Sequence, residues 1–363
     1  MNSGGVLLVR ALEAQGVDRV FCVPGESYLP VLDALVDSRI ETVVCRQEGG
    51  AAMMAEADGK LTGRPGIAFV TRGPGATNAA SGIHVAAHDL TPMILFIGQV
   101  PTEFRGRGAF QELNYPDLFG GMAKAVFEAT TPAELPDLVA EAFRIALAGS
   151  PGPVVIALPE NTLSGEGEAE IPARVEPIEI VPAESKLESL WSLMETAKAP
   201  ILILGGSRWS DGGIADIAAF AEAWHLPVVC SFRRQSLFPN QHPNYAGDLG
   251  IGPSPKLRAR IAASDLVIAL GARLGEMPSQ GYELFDVPEP KQRLVHVVPD
   301  GMGKLYHPAL GIHADPISFA RKAAQRVLFM ADGQIVEEAT PEKFFTAPES
   351  SRAKDFLSKV LTH

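Results

Sequence analysis

Ile67-Ala68-Phe69-Val70-Thr71-Arg72-Gly73-Pro74-Gly75-Ala76-Thr77-Asn78 is the stretch that decides the fold. Its first five residues are an apolar, β-branched run that suits a strand buried on both faces. Gly73-Pro74-Gly75 then stops the strand, and small residues from Ala76 to Ala87 read as a helix. A second apolar run, Met93 to Ile97, follows that helix. Working towards the N-terminus, helix Gly49 to Leu61 is preceded by strand Thr42 to Cys45. Before them come helix Tyr28 to Asp37, strand Arg19 to Val23 (stopped by Pro24-Gly25) and helix Gly4 to Gln15. Towards the C-terminus, a loop rich in glycine and charge leads to helix Pro136 to Ala148 and strand Val154 to Leu158. Strands alternating with helices through short turns specify a parallel sheet covered on both faces.

The pattern then breaks and resumes. Residues 165–182 are acidic and proline-rich with no apolar period, as expected of a linker between domains. Strands at Ile201 to Leu204, Val228-Val229, Leu266 to Leu270 and Leu294 to Val298 repeat the alternation over 183–320. The expected fold class is therefore α/β, with two Rossmann-like parallel-sheet domains (1–164 and 183–320) and a short α+β tail (321–363). In that tail, Val327 to Ala331, Asp332-Gly333 and Gln334 to Val336 form a hairpin signal. Thr340-Pro341-Glu342 opens a helix with a capping hydroxyl, and Ser351 to Leu361 reads as a short amphipathic helix.

Composition narrows the function classes. A length of 363 residues suits two domains, and 46% hydrophobic residues supply substantial cores. A formal charge of −12 disfavours a nucleic-acid partner, whose phosphates call for Lys and Arg. The apolar runs are strand-sized, too short to cross a bilayer. Met1 to Gly5 lacks a basic leader followed by a long apolar stretch, so the expected location is the cytoplasm. Cys22, Cys45 and Cys230 are scattered without metal-ligand spacing and read as small core residues.

In open parallel sheets, ligands bind at the C-terminal ends of the strands, where the turns lie. Three turns there carry chemistry: Val23-Pro24-Gly25-Glu26, Arg46-Gln47-Glu48-Gly49-Gly50-Ala51 and Arg72-Gly73-Pro74-Gly75-Ala76-Thr77-Asn78. Gly108-Ala109-Phe110-Gln111-Glu112 follows in the intervening loop. Any one alone is a strand-to-helix turn, and Glu48 alone would do no more than favour a helix N-terminus. In this order and spacing the four together resemble the pyrimidine-binding domain of thiamine-diphosphate enzymes of the acetolactate-synthase type. The resemblance extends through the central domain to about residue 320.

That resemblance implies a role for each turn. The Glu matching Glu48 hydrogen-bonds a ring nitrogen of the cofactor's aminopyrimidine and promotes loss of the thiazolium C2 proton. Pro24, Gly25 and Glu26 match a loop over the pyrimidine, while Gly73, Pro74, Gly75 and Asn78 line the cofactor pocket. Phe110 and Gln111 match a loop on the substrate side, with Gln111 beside the chemistry. The implied activity is decarboxylation or carboligation of a small 2-oxo acid in a homo-oligomer, dimer or tetramer.

The chain also departs from the family. Arg72 stands where acetolactate synthases carry Ser, and Gly247-Asp248-Leu249-Gly250-Ile251-Gly252 replaces their Met-Gly-x-His-Gly stretch, although Gly271-Ala272-Arg273 matches. FAD binding by the central domain is therefore left open. Asp211-Gly212, Asp300-Gly301 and Asp332-Gly333 are not preceded by Gly, so none matches the Gly-Asp-Gly motif that holds Mg²⁺ and the diphosphate. The expectation is a chain without the diphosphate-binding domain, inactive alone. The alternatives are a non-catalytic truncated or chimeric remnant and one half of a split enzyme with a separate diphosphate-domain subunit. The tail from 321 resembles the C-terminal end of polar-amino-acid ABC-transporter ATP-binding subunits, without their phosphate loop. His84 and His88 have helical i, i+4 spacing but no third ligand, and Lys124 matches a position near substrate or flavin.

Overall fold

The computed structural model of the chain describes residues 1–300, 305–324, 327–331, 334–339 and 347–360. It divides into two compact units, Met1–Ile178 and Glu179–His363.

In the first unit, six strands form one sheet: β2 (Arg19–Cys22), β3 (Glu41–Val44), β4 (Gly66–Val70), β5 (Met93–Gln99), β6 (Ala125–Glu128) and β7 (Pro153–Pro159). The order is β3-β2-β4-β5-β7-β6 and every pairing is parallel. Strands β4, β5 and β7 are buried at every residue, which is why they appear as unbroken apolar runs. Helices α1 (Gly4–Ala14), α2 (Leu29–Val36) and α6 (Leu135–Leu147) close a core that includes Phe69 stacked between Tyr28 and Phe96. The helices α3 (Glu48–Thr62) and α4 (Pro74–Asp89) contribute Ala51, Ala52, Ala55, Ala76, Ala79 and Ile83 to a second core.

Small residues let α3 and α4 approach closely: a Cβ on Gly82 would lie 2.4 Å from the Cβ of Ala52. A polar knot fastens the far end of the pair. Lys60 of α3 pairs with Asp89 of α4 and, at 3.4 Å, with Glu56, and Glu56 accepts from the Thr91 hydroxyl at 2.8 Å.

The ends of this unit are stitched together. β1 (Asn2–Ser3) pairs antiparallel with β8 (Glu166–Gly167), and the Gly4 N–H donates to the Gly165 carbonyl at 2.9 Å. Gln15 bridges to the segment beyond β8, donating to the Ala173 carbonyl and accepting from the Val175 N–H. Residues read as connector up to 178 thus hold on to the first unit.

The second unit repeats the plan with β9 (Pro200–Leu204), β10 (Val228–Cys230), β11 (Tyr245–Asp248), β12 (Leu266–Leu270), β13 (Arg293–Val298) and β14 (Leu310–His313). Its parallel order is β11-β10-β9-β12-β13-β14. Helices α8 (Glu184–Thr196), α9 (Asp211–Ala223), α10 (Pro255–Ala262) and α11 (Pro316–Ala324) pack on its faces. The expected α/β class with two parallel sheets is what the chain adopts. Beyond it, β15 (Val327–Ala331) pairs antiparallel with β16 (Gln334–Ala339), and a helix spans Ser351–Val360. The expected turn at Asp332-Gly333 and helix start at Thr340-Pro341-Glu342 lie outside the described residues.

Candidate functional site

The order of the first sheet reverses between β2 and β4, because the chain leaves β2 for β3 on one side and returns to β4 on the other. Such a switch point opens a crevice between the loops that follow the two central strands. Here those loops are 23–28 and 71–74, and they touch. A Cβ on Gly25 would lie 2.6 Å from Thr71 Cβ, and the Ser27 and Thr71 hydroxyls are 2.9 Å apart in a hydrogen bond. Glycine is required at Gly25 for that closeness.

Glu48 enters the crevice as the first residue of α3. Gln47 caps the helix, its side-chain oxygen accepting from the Gly50 N–H at 2.9 Å, which leaves the adjacent carboxylate at the positive end of the helix dipole. Asn78 of α4 donates from Nδ2 to Glu48 Oε2 at 3.0 Å. A Cβ on Gly49 would lie 3.1 Å from the Asn78 carbonyl, so the starts of the two helices are in contact. Glu48 is half-buried. The structure therefore brings Glu48, Gly49 and Asn78 together at one helix–helix junction.

On the other side, Gly73 has φ +51° and Gln111 has φ +64°. A Cβ on Gly73 would lie 2.8 Å from the Gln111 carbonyl oxygen. Gln111 thus packs by its backbone onto the turn that starts α4. Gly75 is buried in that turn. Pro24, Glu26 and Pro74 are exposed at the rim, and Phe110 is 78% exposed at the loop tip.

Further groups of the first unit make contacts that the sequence alone did not give. Arg72, 16% exposed, reaches Glu160 beyond β7 with Nη1–Oε1 at 2.6 Å, while its buried Nε has no hydrogen-bond partner. Tyr115, in α5 (Tyr115–Phe119), donates from its hydroxyl to the Gly98 carbonyl at 3.0 Å, and burial pushes its phenol pKa up. Gly98 itself admits no Cβ, which would meet Ser27 Oγ at 1.8 Å. The interrupted apolar run at Gly98-Gln99 was the available signal for that contact. Lys124 donates to the Ala148 and Ser150 carbonyls, closing the end of α6. His84 and His88 face one another with ring centroids 4.4 Å apart.

The second sheet has its own switch point between β9 and β12. Gly206 at φ +77° and Gly271 at φ +66° bring the two turns together, with a Cβ on Gly205 only 2.6 Å from Ala272 Cα. Burial lowers the pKa values of Arg208 and Arg273 beside it.

Two parallel α/β sheets, each with a switch point, and a carboxylate held where α3 meets α4 define an α/β architecture of the open, doubly wound type. Comparison with known proteins specifies it further. Residues 2–118 match the family described as thiamine pyrophosphate enzyme, N-terminal TPP binding domain, and residues 187–340 match thiamine pyrophosphate enzyme, central domain. The chain carries the N-terminal and central domains of the thiamine pyrophosphate enzymes. Among curated proteins it is 32% identical over 315 residues to the acetolactate synthase isozyme 2 large subunit of Escherichia coli K12, covering 86% of this chain and 57% of that protein. It is 33% identical over 301 residues to a probable acetolactate synthase large subunit of Methanocaldococcus jannaschii, covering 81% and 50%. The acetolactate synthase large subunit of Corynebacterium glutamicum is 31% identical over 334 residues, covering 90% and 52%. The chain spans about half the length of the curated relatives it matches. No helix among the described residues is long and apolar enough to cross a membrane.

Proposed function

We propose that the first unit holds the aminopyrimidine of thiamine diphosphate against Glu48, and that the chain contributes this half-site to an acetolactate-synthase-like enzyme acting on small 2-oxo acids. The observation that carries the reading is the Glu48–Asn78 pair at the switch-point crevice. Asn78 holds Oε2 of the carboxylate, which stands at the N-terminal end of α3. A carboxylate so held is a hydrogen-bond acceptor suited to a protonated ring nitrogen, so the donor set fits the cofactor.

When bound, thiamine diphosphate supplies the electron sink needed to break the bond between the carboxylate and the carbonyl carbon of a 2-oxo acid. This chain's part is to hold a proton at the ring nitrogen through Glu48 and to orient the ring between 23–26 and 73–78. Gln111 and Phe110 bound the substrate side. In this reading Mg²⁺ and the diphosphate are held by a further region, on the same polypeptide or another, and these 363 residues alone do not turn over.

The test is hydrogen–deuterium exchange at the thiazolium C2, followed by NMR, with the chain mixed with cofactor, Mg²⁺ and a diphosphate-binding domain from a relative. Exchange should accelerate with the native chain. Glu48→Gln, which keeps shape but removes the charge, should slow exchange by roughly 100-fold or more. Equal exchange in native chain and variant would sink the assignment.

A further inference from the structure

Loop 105–112 is built around one side chain. The Glu112 carboxylate is 13% exposed and receives three donors. Its Oε1 accepts from the Gly106 N–H at 2.6 Å and from Arg105 Nη1 at 3.0 Å, and its Oε2 accepts from the Ala109 N–H at 3.3 Å. The Ala109 carbonyl accepts in return from the Glu112 N–H at 3.0 Å. Arg105 carries the anchor onward, pairing with Glu128 of β6 and donating to the Leu113 carbonyl. That carbonyl also accepts from Gln99 at the end of β5.

Apolar packing contributes little to holding the loop tip. Gly106 and Gly108 both have positive φ, and a Cβ on either would meet nothing within 4 Å. Phe104 and Phe110 are exposed. The conformation that turns Phe110 outward and lays the Gln111 backbone on Gly73 is thus maintained by hydrogen bonds that converge on one carboxylate. Without it, the Gly106 and Ala109 amides have water as their alternative partner, and a glycine-rich tip gains conformational freedom.

We propose that Glu112 is the positioning residue of the crevice's substrate side, fixing Phe110 and Gln111 where a 2-oxo acid is taken up. The inference rests on the proposed function and adds a residue to it. Glu112 touches neither the pyrimidine junction nor the core, and it acts through the loop. The Gly106 N–H, then that of Ala109 and the Arg105 guanidinium, hold its carboxyl below the usual carboxylate range, against the opposing effect of burial. The charged groups facing it are Arg105 and, behind Arg105, Glu128. A depressed folded-state value means that the loop is held above the ordinary Glu range and released as pH falls through the lowered value.

Amide hydrogen exchange read by mass spectrometry on the full chain tests this, with Glu112→Ala, Glu112→Gln and native protein compared from about pH 3 to pH 7. The expected result at neutral pH is exchange at least about tenfold faster across 106–112 in Glu112→Ala, with β4 and β5 unchanged. Glu112→Gln keeps one oxygen to accept from Gly106 but turns an NH2 donor towards the Ala109 N–H, so its loop should exchange faster than native and slower than that of Glu112→Ala. Native protection in the loop, corrected for intrinsic rates, should fall on acidification while that of Glu112→Gln stays flat. Native-like protection in Glu112→Ala, or equal loss throughout β4 and β5, would overturn the proposal. Should Glu112→Ala not fold, the two pH profiles decide alone: parallel profiles refute it. Glu48→Gln in the same protocol leaves the loop untouched, so failure of the cofactor reading is distinguishable from failure of this one.

Discussion

Replacing Lys60 by Met tests what holds α3 and α4, the two helices that meet at Glu48 and Asn78, in place. The Lys60 side chain is 24% exposed, and its carboxylate partners Asp89 and Glu56 are 5% and 8% exposed. Met matches the length of the stem, but it leaves two buried carboxylates on facing helices without their shared cation. Breaking a buried pair by removing one partner costs about 3–5 kcal/mol, because the remaining charge stays desolvated. For a unit of this size about 1 kcal/mol moves the midpoint by about 2–4 °C, so Lys60→Met should lower it by about 6–20 °C. Calorimetry and far-UV circular dichroism would follow the whole chain. All three tryptophans (Trp191, Trp209 and Trp224) lie in the second unit, so their emission reports that unit separately. Adding Asp89→Asn to Lys60→Met removes one of the two buried carboxylate charges and should restore at least about 1 kcal/mol. A loss below about 1 kcal/mol in Lys60→Met, or no recovery in the double variant, would refute the reasoning.

Gly82→Ala places a methyl 2.4 Å from Ala52 Cβ and 2.8 Å from its carbonyl carbon, so the helices must part. A loss of about 1–3 kcal/mol in urea unfolding is expected, and native-like stability would contradict the packing described. In thiol labelling near pH 8, Cys45 should react first. It is half-buried, whereas Cys22 and Cys230 are buried with thiols pushed up to about 11 and about 12 by desolvation. Mass spectrometry showing Cys22 or Cys230 labelled first would be the contrary result. In the second unit, Asp265 is held below the usual carboxylate range, first by the Lys198 N–H and then by those of Ala199 and its own residue and by Arg293, against some burial. Its contribution is present above the ordinary Asp range and lost as pH falls through the lowered value, so Asp265→Asn should destabilise at neutral pH and approach native on acidification. A pH-independent difference would count against that linkage.

Strands packed from both sides were the most readable, although the edge strand Glu41–Val44 was read as well. Gly66–Val70, Met93–Gln99 and Leu266–Leu270 are central strands without a solvent face, so their apolar runs are continuous. Ala125–Glu128, Tyr245–Asp248 and Leu310–His313 were not recognised, and all three are edge strands. The first two are half-buried at every residue, a pattern with neither a run nor a clean alternation. Helix α3 was legible from its small residues, yet its first turn begins one residue earlier than expected, at Glu48, because Gln47 serves as cap. The turns that meet at the crevice were legible as motifs. Their contacts were not: Gly73 against Gln111 joins residues far apart in sequence, and nothing local in either marks the other. Glu112 was quoted within its motif without a task, because three donors converging on one carboxylate exist only once the loop has closed on itself.

The antiparallel stitch of Asn2–Ser3 on Glu166–Gly167 bears on how the first unit is made. A ribosome releases residue 2 well before residue 166, which follows β7, so within this unit the seam closes only after the whole sheet has been made. Until then the growing sheet is an open clasp. Once shut, it brings the point of entry and the point of exit of the polypeptide side by side. A module with neighbouring ends can be reopened elsewhere. A short bridge from about residue 167 back to residue 2, with new termini cut in the glycine tip at 106–108, should give a circular permutant that keeps the same sheet.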